Sequence, residues 1–148
     1  ADAKTLFDKL AYDAKAAEAL KEATRRRLAM RVLALAKRYE RRNDPENALV
    51  VCWDVTRDYP NTPAADEACA LAEELAKDPQ RAARARAKRA ERDGKNWLEM
   101  AALFEQNRRR DKARDYYQRI IAQYPDTPWA ERAAAALKAP AIEPVAPK

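Results

Sequence analysis

Apolar side chains recur every three or four positions along most of this chain, and charged side chains fill the positions between them. This spacing predicts amphipathic α-helices. Residues 3 to 22 are expected to form a leading helix or two, on the apolar residues Leu6, Leu10, Ala14, Ala17 and Leu20. Further helices are predicted at residues 24–42, 45–59, 63–77, 79–93, 96–108, 111–124 and 128–138. Their short connections make neighbouring helices antiparallel.

The predicted helix starts coincide with four Asp-Pro or Thr-Pro pairs. They are Asp44-Pro45, Thr62-Pro63, Asp78-Pro79 and Thr127-Pro128. The Asp or Thr oxygen accepts from free backbone N–H groups, and proline suits the first helical position because its missing N–H is not needed there. Gly94 predicts a helix end, and Asn96 followed by Glu99 has the spacing of a capping box for the next helix.

An internal repeat organises the chain, because the segment from Ala48 to Ala68 reappears 65 residues later as Ala113 to Ala133. Both copies contain the pattern Tyr-Pro-x-Thr-Pro-x-Ala-x-x-Ala, and Val55 is matched by Ile120. Unrelated helical sequences do not share so specific a pattern. Repetition at this scale predicts stacked helical hairpins.

The later copy resembles the tetratricopeptide repeat family, whose signature is W-x2-L-G-x2-Y, then A-x3-F-x2-A, then Pro. The matching residues are Trp97, Met100, Ala101, Phe104, Ala113, Tyr117, Ile120 and Pro125. The earlier copy fits less closely, through Val32, Leu35, Ala36, Tyr39, Ala48, Cys52, Val55 and Pro60. The resemblance implies an all-α fold in which antiparallel hairpins stack as a short solenoid that ends in a capping helix.

This resemblance divides the chain into three parts. Residues 1–28 are a leading helical segment outside the repeats, and residues 139–148 are a proline-rich tail expected to be flexible. The repeat domain between them spans residues 29–138. Its parts are a repeat at 29–62, a degenerate repeat at 63–93, a repeat at 94–127 and the capping helix at 128–138.

Composition supports helices and argues against catalysis. A single glycine leaves little material for hairpin turns or a phosphate-binding loop. The chain has no histidine, so His-dependent nucleophilic pairs and His metal ligands are excluded, and two cysteines do not make a four-ligand zinc site. We therefore predict a protein that is not an enzyme and that binds no cofactor or metal.

The basic residues are the best candidates for a specific partner-binding surface, although a solvated helix face is the favoured explanation for them. One cluster lies in residues 25–42 opposite an apolar stripe of Leu28, Val32, Leu35 and Tyr39, and a second lies in residues 81–92. The selected partner-binding residues are Lys37, Arg41, Arg81, Arg84, Lys88 and Arg92. Nucleic acid is disfavoured because the aromatic residues occupy core positions and are not free to stack on bases.

The family resemblance implies that a protein or peptide binds in a groove lined by the first helix of each hairpin. Helical projection places Leu33, Lys37, Arg41, Glu105 and Gln106 toward that groove. The function predicted is a protein interaction scaffold or adaptor. A structural subunit that associates with itself or a larger assembly is the alternative, and binding of an acidic polymer or nucleic acid is a second one.

Cys52 and Cys69 lie at nearly mirror positions about the turn at Pro60-Asn61. In an oxidising compartment a disulfide between them would close a loop of 17 residues and contribute about 3 kcal/mol. The other interpretation is two reduced cysteines that act as small apolar residues.

Localisation is predicted from two weak features. The repeat ending is similar to repeats in bacterial envelope proteins, including an outer-membrane assembly lipoprotein and periplasmic coordinators of the Tol system. The chain starts at Ala1-Asp2 without Met, which suits a processed export product or a trimmed chain. No apolar run reaches the length of a membrane span. We expect a periplasmic or exported protein, with the cytoplasm as the alternative.

Overall fold

The computed structural model describes the backbone of residues 3–139 and the side chains of residue 9 and residues 12–139. Six α-helices and no strands are found in this part of the chain. They are α1 (Ala3–Arg41), α2 (Pro45–Asp58), α3 (Pro63–Leu75), α4 (Pro79–Gln106), α5 (Arg110–Gln123) and α6 (Pro128–Lys138). The predicted all-α repeat fold with packed neighbouring helices is confirmed. Most of the predicted tail, from residue 140 onward, lies outside the described residues.

The four predicted helix caps form. The Thr62 and Thr127 hydroxyls accept from the backbone N–H groups three residues later, at 3.2 and 3.3 Å. Asp44 Oδ1 accepts from the N–H of Asn47 at 3.2 Å. Asp78 Oδ1 accepts from the N–H groups of Gln80 and Arg81 at 2.9 and 3.2 Å, and these bonds, led by that from Arg81, lower the pKa of its carboxyl. The Asp-Pro and Thr-Pro pairs predicted the helix starts correctly because the capping residue and the proline both act within one helical turn.

Two predicted helix boundaries are wrong, because residues 79–106 form one helix and residues 3–41 form another. Gly94 does not end a helix: it lies inside α4 without a positive φ, and Asn96 and Glu99 are exposed residues of the same helix. Its lack of a side chain serves a contact with α6, since a Cβ at Gly94 would lie 2.5 Å from Trp129 Cγ. The glycine permits a close approach of two helices instead of a turn.

The chain divides into two compact units, Ala1–Ala85 and Arg86–Lys148, with the division inside α4. In unit 1, α2 packs against both α1 and α3. Its largest fully buried apolar side chains are Leu33, Leu49, Cys52 and Val55. The start of α4 contributes Ala82 and Ala85 to the same core.

Unit 2 has a smaller buried core, on Ala101, Ala113, Tyr117, Ile120 and Ala133. Half-buried aromatic residues surround it, including Trp97, Phe104, Tyr116 and Trp129. Phe104 stacks on Tyr116 with ring centroids 5.6 Å apart, and Trp97 lies 5.9 Å from Tyr124. This unit therefore gains much of its apolar contact from rings at the edge of the core.

The apolar face of α1 is rotated from the predicted one. The sequence pattern put Leu28, Val32, Leu35 and Tyr39 on that face, but Leu28 and Leu35 are 42% and 39% exposed. The buried residues are Ala29, Leu33 and Ala36. Small alanines allow a closer helix contact, so Ala29 and Ala36 lie on the packed face with Leu33, and Leu28 and Leu35 flank it.

The backbone repeats at the same 65-residue interval as the sequence. Asn43 and Asn61 have φ values of 58° and 62°, and residues 65 positions later, Arg108 and Asp126, have 58° and 61°. Helices α2 and α5 each contain 14 residues and begin 65 positions apart. We use the word counterpart for two residues separated by this interval. The turn at residues 59–63 repeats in both backbone and sequence, whereas the turn at residues 42–45 repeats in backbone although it shares no residue with residues 107–110.

Candidate functional site

The first cleft lies in unit 1 between the last two turns of α1 and the middle of α3. Its volume is about 510 Å³. The residues that line it are Lys37, Glu40, Arg41, Glu67, Ala70 and Leu71. Two basic, two acidic and two apolar side chains therefore meet in one concavity. This mixture suits a segment of protein chain better than a uniformly charged polymer.

The charged residues of the first cleft contact one another. Lys37 Nζ forms an ion pair with the Glu67 carboxylate, and both side chains are about half exposed. Arg41 Nε donates to the backbone carbonyl of Lys37 at 3.3 Å. An exposed ion pair contributes less than about 1 kcal/mol, so a partner can open this one at little cost.

The structure brings together two of the six predicted partner-binding residues, Lys37 and Arg41, in the first cleft. Leu33, which helical projection placed toward the groove, is 1% exposed and belongs to the core, so that expectation is wrong. The sequence interpretation missed Glu67 and Leu71. They are one helical turn apart on α3, which is the first helix of the degenerate repeat. The expectation that first helices line the groove, applied to this repeat as well, would have identified them.

Two other predicted binding residues make contacts within unit 1. Arg81 donates from its guanidinium to the carbonyl of Leu75 at 3.2 Å, which closes the connection between α3 and α4. Arg84 forms an ion pair with Glu46 of α2, which lies 38 residues earlier. Their positive charges hold the start of α4 against α2 and α3.

The remaining two predicted binding residues, Lys88 and Arg92, are exposed residues of α4 in unit 2. The Arg92 guanidinium lies against the buried carboxylate of Asp93, at 2.8 and 2.9 Å. The hydroxyl of Tyr124 donates to the other oxygen of Asp93 at 2.5 Å. Arg92 thus forms an ion pair with the buried carboxylate of Asp93. A partner-binding role for Arg92 and for Lys88 stays a prediction.

The second cleft lies in unit 2, where α4 ends and α5 packs on α6, and has a volume of about 420 Å³. The residues that line it are Glu105, Arg110, Asp111, Arg114, Tyr117, Ala136, Leu137 and Ala139. Burial, the negative charge of Glu105 and a hydrogen bond to Glu105 raise the pKa of Tyr117. Of the unit 2 residues predicted for the groove, Glu105 lines this cleft and Gln106 is exposed.

The repeat in unit 2 has the hairpin geometry that its sequence pattern implies. Ala101 of α4 and Ala113 of α5 are buried in one core together with Tyr117 and Ile120 of α5. Met100, expected to share the apolar face, is instead 37% exposed. Residues 94–137 match the family model of the tetratricopeptide repeat. The chain contains a tetratricopeptide repeat. Comparisons with curated proteins and with solved structures found no match.

Tetratricopeptide repeats are in general modules that bind protein partners, and the family is typically non-catalytic. The matched residues cover the second half of α4, all of α5 and nearly all of α6, and therefore include every residue that lines the second cleft except Ala139. The first cleft lies in the unit formed by the earlier sequence copy. Protein binding is thus the general activity of the repeats that the matched segment resembles.

The two cysteines are free thiols in different environments. Cys52 is fully buried in α2, whereas Cys69 is exposed on α3 with its Sγ 3.8 Å from a Glu73 carboxylate oxygen. Burial, assisted by the charge of Glu40, raises the pKa of the Cys52 thiol to about 12. A disulfide between them stays a prediction that a thiol count would test.

Among the described residues, no group of histidine, cysteine, aspartate or glutamate side chains is arranged to hold a metal ion. None of the described helices is long and apolar enough to cross a membrane.

Proposed function

We propose that this protein is a protein interaction scaffold or adaptor that binds a segment of another protein in the first cleft. The observation that carries the proposal is the mixed lining of that cleft, in a chain that contains a tetratricopeptide repeat. Arg41 and Glu40 offer charges of both signs, while Ala70 and Leu71 offer a small apolar surface. A peptide with alternating charged and small apolar side chains fits this chemistry.

The first experiment selects peptides from a displayed random library on the intact protein and measures their dissociation constants by fluorescence anisotropy. The test variant carries Lys37→Glu and Arg41→Glu. The matched control carries Arg38→Glu and Arg42→Glu, two exposed residues of the same region that do not line the cleft. Both variants change the net charge equally, so bulk electrostatics affects them alike.

We expect the cleft variant to weaken peptide binding by about tenfold or more and the control to change it by less than about twofold. Equal weakening by the two variants would show that only net charge matters. Full binding by the cleft variant would refute this site and move the search to the second cleft or to Lys88 and Arg92.

We propose further that the protein acts in the bacterial cell envelope, in the periplasm or after export. Support comes only from the similarity of its Tyr-Pro-x-Thr-Pro endings to repeats of envelope proteins. Fractionation of the native cells by osmotic shock tests it, with a cytoplasmic enzyme as a leakage marker. Recovery of the protein with that marker would place it in the cytoplasm.

A further inference from the structure

A third cleft lies on unit 2 between the end of α4 and the middle of α5, and has a volume of about 300 Å³. The residues that line it are Phe104, Lys112, Asp115, Tyr116 and Arg119. None of them lines the first or the second cleft. The charged residues are all exposed, whereas the two rings are half-buried and stacked on each other. The third cleft therefore combines an aromatic surface with charged side chains around it.

Two arginines are held on aromatic rings at this face. The guanidinium carbon of Arg119 lies 5.2 Å from the centre of the Trp97 ring, and that of Arg109 lies 5.8 Å from the centre of the Phe104 ring. A guanidinium stacked on a ring keeps the N–H groups along its edge available for a carboxylate. Among the described residues, neither arginine forms an ion pair. Both positive charges are thus ordered and available to an acidic ligand.

The charges of the third cleft follow a fixed order along α5. Lys112 and Arg119 lie seven positions apart, which is nearly two helical turns or about 10.5 Å. Asp115 lies between them and lines the same cleft. Within the part of the chain that the structure describes, none of these three side chains has an ion-pair partner. A ligand therefore meets two positive charges separated by this distance, with a negative charge between them.

An exposed apolar strip on α4 adjoins the third cleft. Met100 precedes Leu103 and Phe104 by one helical turn, so its side chain adjoins both. Met100 and Leu103 are 37% and 49% exposed. Apolar side chains that are exposed together beside charged ones are typical of surfaces that bind other proteins. Together with Tyr116, this strip offers an apolar surface to a ligand.

The equivalent positions of unit 1 are used inside the fold. The counterpart of Lys112 is Asn47, whose side-chain amide donates to the capping carboxylate at the start of α2 at 2.6 Å. The counterpart of Arg119 is Asp54, which pairs with an arginine three residues later at 3.4 Å. The position of the central acid is occupied by Val50, which is 6% exposed. The charged cleft therefore belongs to unit 2 and is not a general property of the two repeats.

We propose that the third cleft binds an acidic amphipathic helix of another protein, which lies along α5. Two acidic residues seven positions apart on that helix pair with Lys112 and Arg119, because both helices rise by the same amount per residue. Apolar residues on the turn between them contact Tyr116 and the strip on α4. Asp115 repels an acidic residue at that turn, which disfavours an evenly charged polymer such as nucleic acid. This site is separate from the peptide site in the first cleft.

Fluorescence anisotropy with labelled, alanine-rich helical peptides of about 18 residues tests the proposal on the full chain. The spaced peptide carries Glu at positions i and i+7 and Leu at positions i+3 and i+4. The uniform peptide carries Glu at all four positions and is therefore more negative. The reversed peptide is the spaced peptide with Lys in place of both Glu.

The test variant of the protein carries Lys112→Glu and Arg119→Glu. The matched control carries Arg110→Glu and Arg114→Glu, two exposed residues of the same helix that line the second cleft and not the third. Both variants change the net charge equally, so bulk electrostatics affects them alike. A further variant, Asp115→Asn, removes the negative charge between the two cations. Far-UV circular dichroism verifies that each variant retains its helices.

We expect the wild-type protein to bind the spaced peptide about tenfold more tightly than the uniform peptide, although net charge alone favours the uniform one. The test variant should weaken binding of the spaced peptide by about tenfold or more and bind the reversed peptide instead. The matched control should change it by less than about threefold. Asp115→Asn should strengthen binding of the uniform peptide by about threefold or more.

Four results would overturn the proposal. The first is a spaced peptide that does not bind the wild-type protein up to about 1 mM. The second is tighter binding of the uniform peptide, and the third is a folded test variant that does not bind the reversed peptide. The fourth is equal weakening by the matched control, or by Lys37→Glu with Arg41→Glu, which would move the peptide to the second or the first cleft.

Discussion

Inside α4, the substitution Gly94→Ala combines two opposing contributions to the free energy of unfolding. Alanine is favoured over glycine in a helix interior by about 1 kcal/mol. The new Cβ, however, would lie 2.5 Å from Trp129 Cγ and 2.8 Å from its Cβ and Cδ2. Overpacking of this kind costs about 1–3 kcal/mol because the neighbouring helix must shift. Since α6 is held by its contact with α5, we expect net destabilisation of about 1 kcal/mol.

Gly94→Ala should instead stabilise the protein when the indole of Trp129 has been removed. The counterparts of Gly94 and Trp129 are Ala29 and Ala64, which are both buried in unit 1. Trp129→Ala alone should cost about 2–3 kcal/mol, because the half-buried ring leaves a space beside a glycine. Adding Gly94→Ala to it recreates the alanine pair of unit 1 and should restore about 1 kcal/mol. The double-mutant cycle then shows a coupling of about 2 kcal/mol.

Urea unfolding followed by far-UV circular dichroism measures these differences, with amide hydrogen exchange of α6 as a local measurement. The control is Ala102→Gly, at an exposed position of the same helix, which measures the helix propensity difference without any contact. The reasoning fails if Gly94→Ala stabilises the wild-type protein by as much as Ala102→Gly destabilises it. In that case the contact with Trp129 would carry no steric cost.

Three further predictions concern single sites. Tyr124→Phe should destabilise the protein by about 1–2 kcal/mol in urea unfolding, because it removes a hydrogen bond from the buried carboxylate of Asp93; an unchanged midpoint would refute this. Arg108→Gly should stabilise it by about 0.5–1 kcal/mol, since φ is 58° there, and a loss of stability would show that the arginine side chain matters more. Cys69 should react with a thiol reagent in the native protein at pH 8, whereas Cys52, buried and with its pKa raised to about 12, should react only after unfolding. Fewer than two thiols in unreduced, unfolded protein would instead establish a disulfide.

The helix starts could be predicted because their causes are local. A cap residue and the proline after it act within a single turn, and the four pairs in this chain each begin a helix. Gly94 could not be interpreted in this way. Whether a glycine ends a helix or admits a neighbour depends on a residue 35 positions away, Trp129, and no pattern around Gly94 indicates that contact.

The binding residues were harder to predict for the same reason. The sequence shows that Lys37 and Arg84 are basic residues on helices. It does not show that their partners are Glu67 and Glu46, which lie 30 and 38 residues away. The apolar stripe in the sequence also placed Leu28 and Leu35 on the packed face of α1, whereas Ala29 and Ala36 are the residues that pack there. Clusters of basic residues could thus be proposed from the sequence. Which of these residues form ion pairs inside the fold could not be predicted.

The differences between the two units follow from what covers them. In unit 1 the start of α4 completes the core, so small side chains such as Cys52 and Ala64 fill the space beside α2. In unit 2 the counterparts of Cys52 and Ala64 are Tyr117, which lines the second cleft, and Trp129, which packs against the core. Each of these rings covers more apolar surface than the small side chain at the same position in unit 1. This explains why the aromatic pattern typical of tetratricopeptide repeats is clearest in residues 94–137, where the family model matches, although the backbone turns of the two units are nearly the same.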